Sequence, residues 1–329
     1  MFVVVPRGSC AEQNYAISTL YNMKGKMMRC EGAIVLAIIV ASLSLHVSVA
    51  QPNHFGLLIV AHGSPSQQWN ASVLELRDQV KQALNERRDN PFSAVQVAFM
   101  EFAQPSVDSV MRDFERNGIQ NVYALPIFVI PSAHTLFELP AILGLYYDPE
   151  VVQRLEEEGV TIVRTNMHIT LGPTLSKGDV LDEVMLDRVS ELSTSPDSEG
   201  VVILAHGDSQ FKPIWCTTLR RMSSYISART GIRYVDFAFV EMGQSLITEG
   251  APIILHVAEK TKRTIVVGLY LSSGISDMAK NISLSIGLMK LESKKIFVGK
   301  NIIFASRGLL PDQRIVQWIV NTAMEWGQQ

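Results

Sequence analysis

Cysteine is nearly absent from this chain. Cys10, Cys30 and Cys216 are the only three in 329 residues, and none stands in a C-x-x-C pair. That composition offers no thiolate zinc site, no thioredoxin-type redox pair and no disulfide framework. Excess positive charge is missing too, with 29 Lys and Arg against 32 Asp and Glu and a net charge of -3. A nucleic-acid partner, which usually requires clustered cations, is therefore not expected. There is no G-x-S-x-G elbow, no G-x-x-x-x-G-K-[ST] phosphate loop and no G-x-G-x-x-G turn. A serine hydrolase of that design, a P-loop nucleotidase and a dinucleotide enzyme drop out, and no organic cofactor is expected. Small-molecule chemistry remains.

What the chain does have is apolar material, 47% of its residues, enough for two buried cores at a length that suggests about two domains. Its amino end reads differently from the rest. Lys24, Lys26 and Arg29 supply positive charge, Ala33 to Val49 is mostly apolar, and Ser48-Val-Ala50 places a small-x-small triplet before Gln51. This three-part order is that of a secretory signal peptide. Residues 1–50 are therefore read as a signal region and the mature protein as exported, periplasmic or secreted, and beginning near Gln51. The alternative is an uncleaved anchor, which would be the chain's one membrane contact. Removal of the segment leaves Cys216 alone, a composition compatible with an oxidising compartment.

The remainder is organised around Gly56-Leu-Leu-Ile-Val-Ala-His-Gly-Ser-Pro65. Its apolar run, closed by Gly63 and Pro65, reads as a strand covered on both faces with His62 at its carboxyl end, where open α/β sheets bind ligands. Apolar residues at 73, 76, 80 and 84 predict a helix; Val95–Met100 a second strand; Val107–Asn117 a helix capped by Ser106; Asn121–Ile130 a third strand. Leu136–Tyr147 and Pro149–Glu158 are expected to be helical, Thr161–Asn166 to form the fourth strand, and Asp179–Leu192 the closing helix. Alternation of this kind predicts an α/β fold with a doubly wound parallel sheet.

After the small, polar stretch Ser193–Gly200 the elements return. Val201-Val-Ile-Leu-Ala-His-Gly-Asp208 repeats the first phrase, and Ala238-Phe-Val-Glu-Met242 repeats Ala98-Phe-Met-Glu-Phe102. His206 follows His62 by 144 positions, Glu241 follows Glu101 by 140, and Gly268 follows Pro126 by 142. Offsets this close point to a duplication, with one half at 51–195 and a second at 196–329.

Three strand ends of the first half thus carry His62, Glu101 and His134. Adjacent parallel strands lie about 4.8 Å apart, so such side chains are able to converge on one ion. Two imidazoles and a carboxylate suit a first-row divalent metal (cobalt, iron, nickel or zinc) and leave coordination positions open, as a catalytic or transfer site requires. In the second half Ser276 stands where direct register would place a third ligand, leaving His206 and Glu241. His168 and His256 read as structural.

In this order and spacing, Leu58-Ile-Val-Ala-His-Gly-Ser64, Ala98-Phe-Met-Glu-Phe-Ala-Gln-Pro-Ser106, Leu125-Pro-Ile-Phe-Val-Ile-Pro-Ser-Ala-His134 and Leu171-Gly-Pro173 resemble the class II tetrapyrrole chelatases, the sirohydrochlorin cobalt and iron chelatases. The resemblance spans about residues 55 to 325 and includes the family's long, two-repeat form. It implies two tandem flavodoxin-like halves facing a cleft. The implied activity is insertion of a divalent metal, cobalt first and iron or nickel next, into a metal-free tetrapyrrole such as sirohydrochlorin. By the same resemblance His62 and His134 bind metal and take part in removing pyrrole protons, and Glu101 assists as a metal ligand. His206 and Glu241 would then contact the tetrapyrrole, with Lys212, Arg220 and Arg221 as candidate partners for its carboxylates. A homo-oligomer is left open. Two other readings compete: an exported metal- or pigment-binding protein without insertion activity, and a phosphohydrolase of the histidine phosphatase type. The second lacks its arginine, because Ala61 and Ala205 precede the two histidines.

Overall fold

A run of apolar side chains from Leu57 to Ala61 needs cover on both faces, and the chain provides it in β1 (Phe55–Ala61), where all five are buried. In the computed structural model the chain divides into Met1–Pro52 and Asn53–Gln329. Residues 55–241, 245–272, 274, 297 and 299–328 are described. The expected signal region and Ser276 lie outside them. β1 sits inside a parallel sheet of order β2-β1-β3-β4, flanked by β2 (Phe92–Phe99) and β3 (Asn121–Pro126), with β4 (His168–Leu171) beyond β3. A second parallel sheet repeats this order as β6-β5-β7-β8, built from β5 (Glu199–Ala205), β6 (Tyr234–Phe239), β7 (Arg263–Leu269) and β8 (Ile302–Phe304).

Helices cover the sheet faces as the periodicity dictates. α1 (Gln67–Asn85) starts where the Ser66 hydroxyl accepts the Trp69 N–H, and it buries Val73, Leu76, Val80 and Leu84. α2 (Val107–Arg116) starts at Ser106, whose hydroxyl accepts the Ser109 N–H. Such caps satisfy backbone donors that the first helical turn leaves without partners.

Between residues 126 and 171 the chain departs from the sequence reading. The third strand ends at Pro126, and the expected helix from 136 is replaced by one wide turn, His134–Glu138, followed by the short α3 (Leu139–Ile142). α4 (Pro149–Glu157) forms as expected, begun by the Asp148 side chain. The fourth strand is not Thr161–Asn166. The Val163 N–H donates to the Ile142 carbonyl, which ties that segment to the end of α3, and the β3 ladder is filled by His168–Leu171 instead. β-branched residues at 160–165 mimic a strand but find no strand neighbour. The polar stretch after α5 (Val180–Ser190) is also pinned rather than loose: the buried Glu199 carboxylate accepts from the Ser193 hydroxyl at 2.6 Å, the Thr194 N–H at 3.0 Å and Arg263 at 2.8 Å.

The halves exchange their closing helices. α5 lies against β7 and against α6 (Lys212–Thr230) of the second half, whereas α8 (Gln313–Gly327) crosses to α1 and β3 of the first. There Trp326 stacks on Tyr123 with centroids 4.9 Å apart and also meets Phe55 and Phe92. At the crossing, buried Arg188 of α5 donates to the carbonyls of Gly308 and Leu309 and to the Asp312 carboxylate. One apolar core consequently runs through both halves. Another second-half helix, α7 (Ala251–Lys260), carries the exposed His256. Among the described residues no helix is long and apolar enough to cross a membrane.

Candidate metal and tetrapyrrole site

Parallel register delivers three chain segments to one edge of the first sheet. His62 leaves β1, and its carbonyl accepts the Glu101 N–H at 2.9 Å, which locks the segment after β2 against it. This close approach requires Gly63. Its φ is +95°, and a Cβ there would stand 1.9 Å from the Glu101 carbonyl oxygen. On the other side the Ile127 N–H donates to the Val60 carbonyl, and the chain then runs through Pro131 to His134.

The two histidines meet. Their ring centroids are 4.6 Å apart, edge to face, with Phe128 beside both rings and the exposed Phe102 within 5.8 Å of His62. Nδ1 of His62 lies 3.1 Å from the Gly63 carbonyl, an acceptor, so the proton sits on Nδ1 and the lone pair on Nε2. Nδ1 of His134 is engaged by the Glu138 carboxylate, one turn further along the chain. Both rings therefore present Nε2 as the nitrogen available to a metal, with Nδ1 oriented by an oxygen, as histidine ligands commonly are.

Glu138 is the site residue that motif reading missed. It is buried, and its second oxygen accepts from Arg154 at 2.8 Å. Burial pushes its pKa up, but the His134 hydrogen bond, the charge on His134 and Arg154 outweigh that and hold it below the usual carboxylate value. The same hydrogen bond raises the His134 pKa against the opposing effect of burial, helped by the charges of Glu138, Glu101 and Asp208. An acid four residues after a histidine, just before Leu139 and Pro140, was the available sequence signal.

Glu101 does not complete a cage. Among the described residues no three His, Cys, Asp or Glu side chains gather about one point. Its backbone is held in a tight turn, in which the Ala103 N–H donates to the Glu101 carbonyl and Phe102 adopts φ 59°. The half-buried side chain acts on His134 through its charge.

In the second half the exposed His206 copies the first, with Nδ1 3.0 Å from the Gly207 carbonyl, and Glu241 is exposed at the end of the strand pair. No second imidazole is placed beside His206 among the described residues. Of the three candidate cations Arg221 is committed to buried Asp182 at 3.1 Å, Lys212 lies over the Phe239 ring, and Arg220 is exposed. Beside the His134 loop is a cavity of about 310 Å³, lined by Pro126, Thr135, Leu136, Leu171, Thr174 and Lys177 among others. Leu136 and its neighbour Phe137 are exposed, and Phe137 meets Phe211 of the second half at 6.0 Å.

Comparison with known proteins places this arrangement. Residues 56–192 match the CbiX family model. The sirohydrochlorin cobaltochelatase of Methanococcoides burtonii is 26% identical over 137 residues, covering 42% of this chain and 95% of that protein. Over both halves the fold resembles SirB from Bacillus subtilis with Fe3+, at a TM-score of 0.58 and 14% identity, covering 82% of this chain and 94% of the other. The sirohydrochlorin chelatase SirB of Bacillus subtilis subspecies spizizenii, in complex with cobalt, gives 0.55 and 12%, covering 83% and 95%. Sequence match and repeated parallel sheets agree: residues 56–192, less than half of the chain, match the CbiX family, and the fold over both halves is like that of the SirB chelatases.

Proposed function

We propose that this protein inserts a divalent metal ion, cobalt first and iron or nickel next, into a metal-free tetrapyrrole of the sirohydrochlorin type. The observation that carries this reading is the meeting of His62 and His134, with Nδ1 of each ring engaged and both Nε2 atoms left to a metal. The ion is substrate, so it must be held and then given up. Two neutral imidazoles, with Glu101 turning in as a third donor, hold it with coordination positions open to pyrrole nitrogens. The macrocycle is planar and largely apolar at its faces; Phe102, Leu136 and Phe137 supply exposed surface for it.

Insertion releases two pyrrole protons. An imidazole whose lone pair holds metal cannot accept one, so one histidine must let go first. His134 suits that part, because the Glu138 carboxylate stabilises its protonated form. As metal–nitrogen bonds to the macrocycle replace metal–Nε2 bonds to the protein, the freed His134 takes one of the two protons and so ceases to compete for the metal, and the other passes to the freed His62 and on to solvent water. His206 and Glu241 face the substrate from the second half, with Lys212 and Arg220 available to its carboxylates.

The decisive experiment is anaerobic incubation with sirohydrochlorin and cobalt, iron or nickel, followed by absorption. The expected result is metallated product above the uncatalysed rate, highest with cobalt. Tight metal binding with no rate above background would instead identify a metal-binding protein without insertion activity.

Export belongs to this proposal, supported by the charged, apolar and small-residue order that ends at Ala50. Amino-terminal sequencing of the protein from its source should begin near Gln51. An intact amino terminus on soluble cytoplasmic protein would remove export and leave the chemistry standing.

A further inference from the structure

The loop that brings His134 to His62 is held from outside its own half. The Asp208 carboxylate, two residues beyond His206, accepts the N–H of Ala133 at 3.1 Å. The indole N–H of Trp215, in the first turns of α6, donates to the Pro131 carbonyl at 3.1 Å. Within the loop the Thr135 hydroxyl receives the Ser132 N–H at 2.9 Å, and the Thr135 N–H and hydroxyl both reach the Ser132 carbonyl. The backbone on the near side of His134 is thus fixed at three successive residues, Pro131, Ser132 and Ala133. Two of the three anchors come from the second half.

Asp208 is itself firmly seated. Its other oxygen accepts the N–H groups of Gln210 at 2.9 Å and Phe211 at 3.1 Å, so the carboxylate is tied to the start of α6. Trp215 is buried, with its ring edge-on to Phe239. Neither residue touches His134. Both fix the backbone from which its ring projects.

Resting on the chelatase reading above, we propose that Asp208 and Trp215 are positioning residues: the second half clamps the His134 loop so that the His134 ring stands against His62 as a metal-binding pair. The second half thereby acts on the metal through the first half's backbone and needs no ligand of its own. A site held about an ångström too loosely loses function, and loss of an outer partner typically lowers metal affinity about 10- to 100-fold.

The test titrates the whole protein with cobalt alone, without tetrapyrrole, following the visible absorption of the bound ion and checking the fold by circular dichroism and thermal midpoint. Trp215→Phe removes one donor and keeps the apolar ring; Asp208→Asn keeps one acceptor oxygen where the carboxylate uses two; Asp208→Ala removes both. Trp215→Phe and Asp208→Ala are expected to weaken cobalt binding about tenfold or more, with Asp208→Asn, which serves Ala133 only by giving up Gln210 and Phe211, falling between Asp208→Ala and the parent. His134→Ala sets the scale. If it weakens binding while folded Trp215→Phe and Asp208→Ala bind as the parent does, the clamp is overturned and the metal reading survives. If Asp208→Ala fails to fold, Trp215→Phe decides alone. If His134→Ala itself binds cobalt unchanged, the metal reading falls and the clamp with it.

Discussion

Glu138 holds Nδ1 of His134 while Arg154 holds Glu138, a chain of three side chains that leaves Nε2 of the ring to the metal in the proposed reaction. Proton and metal compete for that nitrogen. Because the hydrogen bond to Glu138 raises the His134 pKa, cobalt affinity should begin to fall at a pH above the ordinary imidazole value of about 6.5. Stability runs the other way: a raised histidine pKa contributes stability that is fully present below the unfolded value and lost as pH rises through the folded one. Glu138→Gln should move the onset of cobalt loss to lower pH. A binding profile that Glu138→Gln leaves in place would show that His134 does not govern metal uptake.

The repeats should differ in kind. His62→Ala or His134→Ala should abolish insertion, since each removes half of the imidazole pair. His206→Ala should keep a measurable rate and mainly raise KM for the tetrapyrrole, as loss of uniform binding does. Steady-state kinetics on the three variants checks this. Loss of all turnover in His206→Ala, with His134→Ala still active, would move the working site to the second half.

Equivalent glycines should respond unequally. Gly63 and Gly207 both follow a histidine and both have positive φ, a conformation costing a residue with a side chain about 1–3 kcal/mol. At Gly63 a Cβ also meets the backbone oxygen of Glu101 at 1.9 Å, whereas at Gly207 it meets the Phe239 side chain at 2.7 Å. A ring can shift and a hydrogen-bonded carbonyl cannot without breaking the turn. Gly63→Ala should be the more destabilising by chemical denaturation, and it alone should weaken cobalt binding. Equal effects would mean the Glu101 turn yields easily.

Arg188 should matter to the whole molecule at once. A buried acceptor left without its donor costs about 1–3 kcal/mol, and Arg188→Ala deprives the carbonyls of Gly308 and Leu309 at the crossing of the halves and leaves the Asp312 carboxylate to Arg314 alone. One cooperative transition at a lower midpoint is expected by calorimetry. Burial raises the Asp312 pKa, but the bonds from Arg314 and the charges of Arg314 and Arg188 outweigh it and leave the net shift downward. Its stabilisation is therefore present above the unfolded value of 3.8 and is lost as pH falls below it toward the folded value. Two separated transitions in the variant would show that the Arg188 contacts, and not the exchanged helices, make the halves one unit.

Much of this was legible in the chain. Strand ends at His62 and His206 announced themselves because an apolar run must be covered on both faces and a glycine must follow. The order of α/β elements and the repeat were readable for the same reason. Residues 126–171 were not, because β-branched side chains at 160–165 have strand character whether or not a strand stands beside them, and tertiary pairing chose His168–Leu171. Glu138 was hidden by a one-turn spacing that any helix contains. Asp208 and Trp215 were out of reach of local pattern, since their partners are backbone atoms 75 and 84 positions away.

The exchanged closing helices have a consequence for the peptide segment between the repeats. Because α5 is buried against the second sheet and α8 against the first, each half is interlocked with the other by packing as well as by the chain that joins them. A protease cut near Asp197 would leave two fragments with nothing to separate along: each would have to withdraw a whole helix from its neighbour's core. Expressed as separate pieces, the same two fragments would each carry one bare sheet face and one misplaced helix. They are complementary parts, each holding the lid of the other, and should reassemble when mixed.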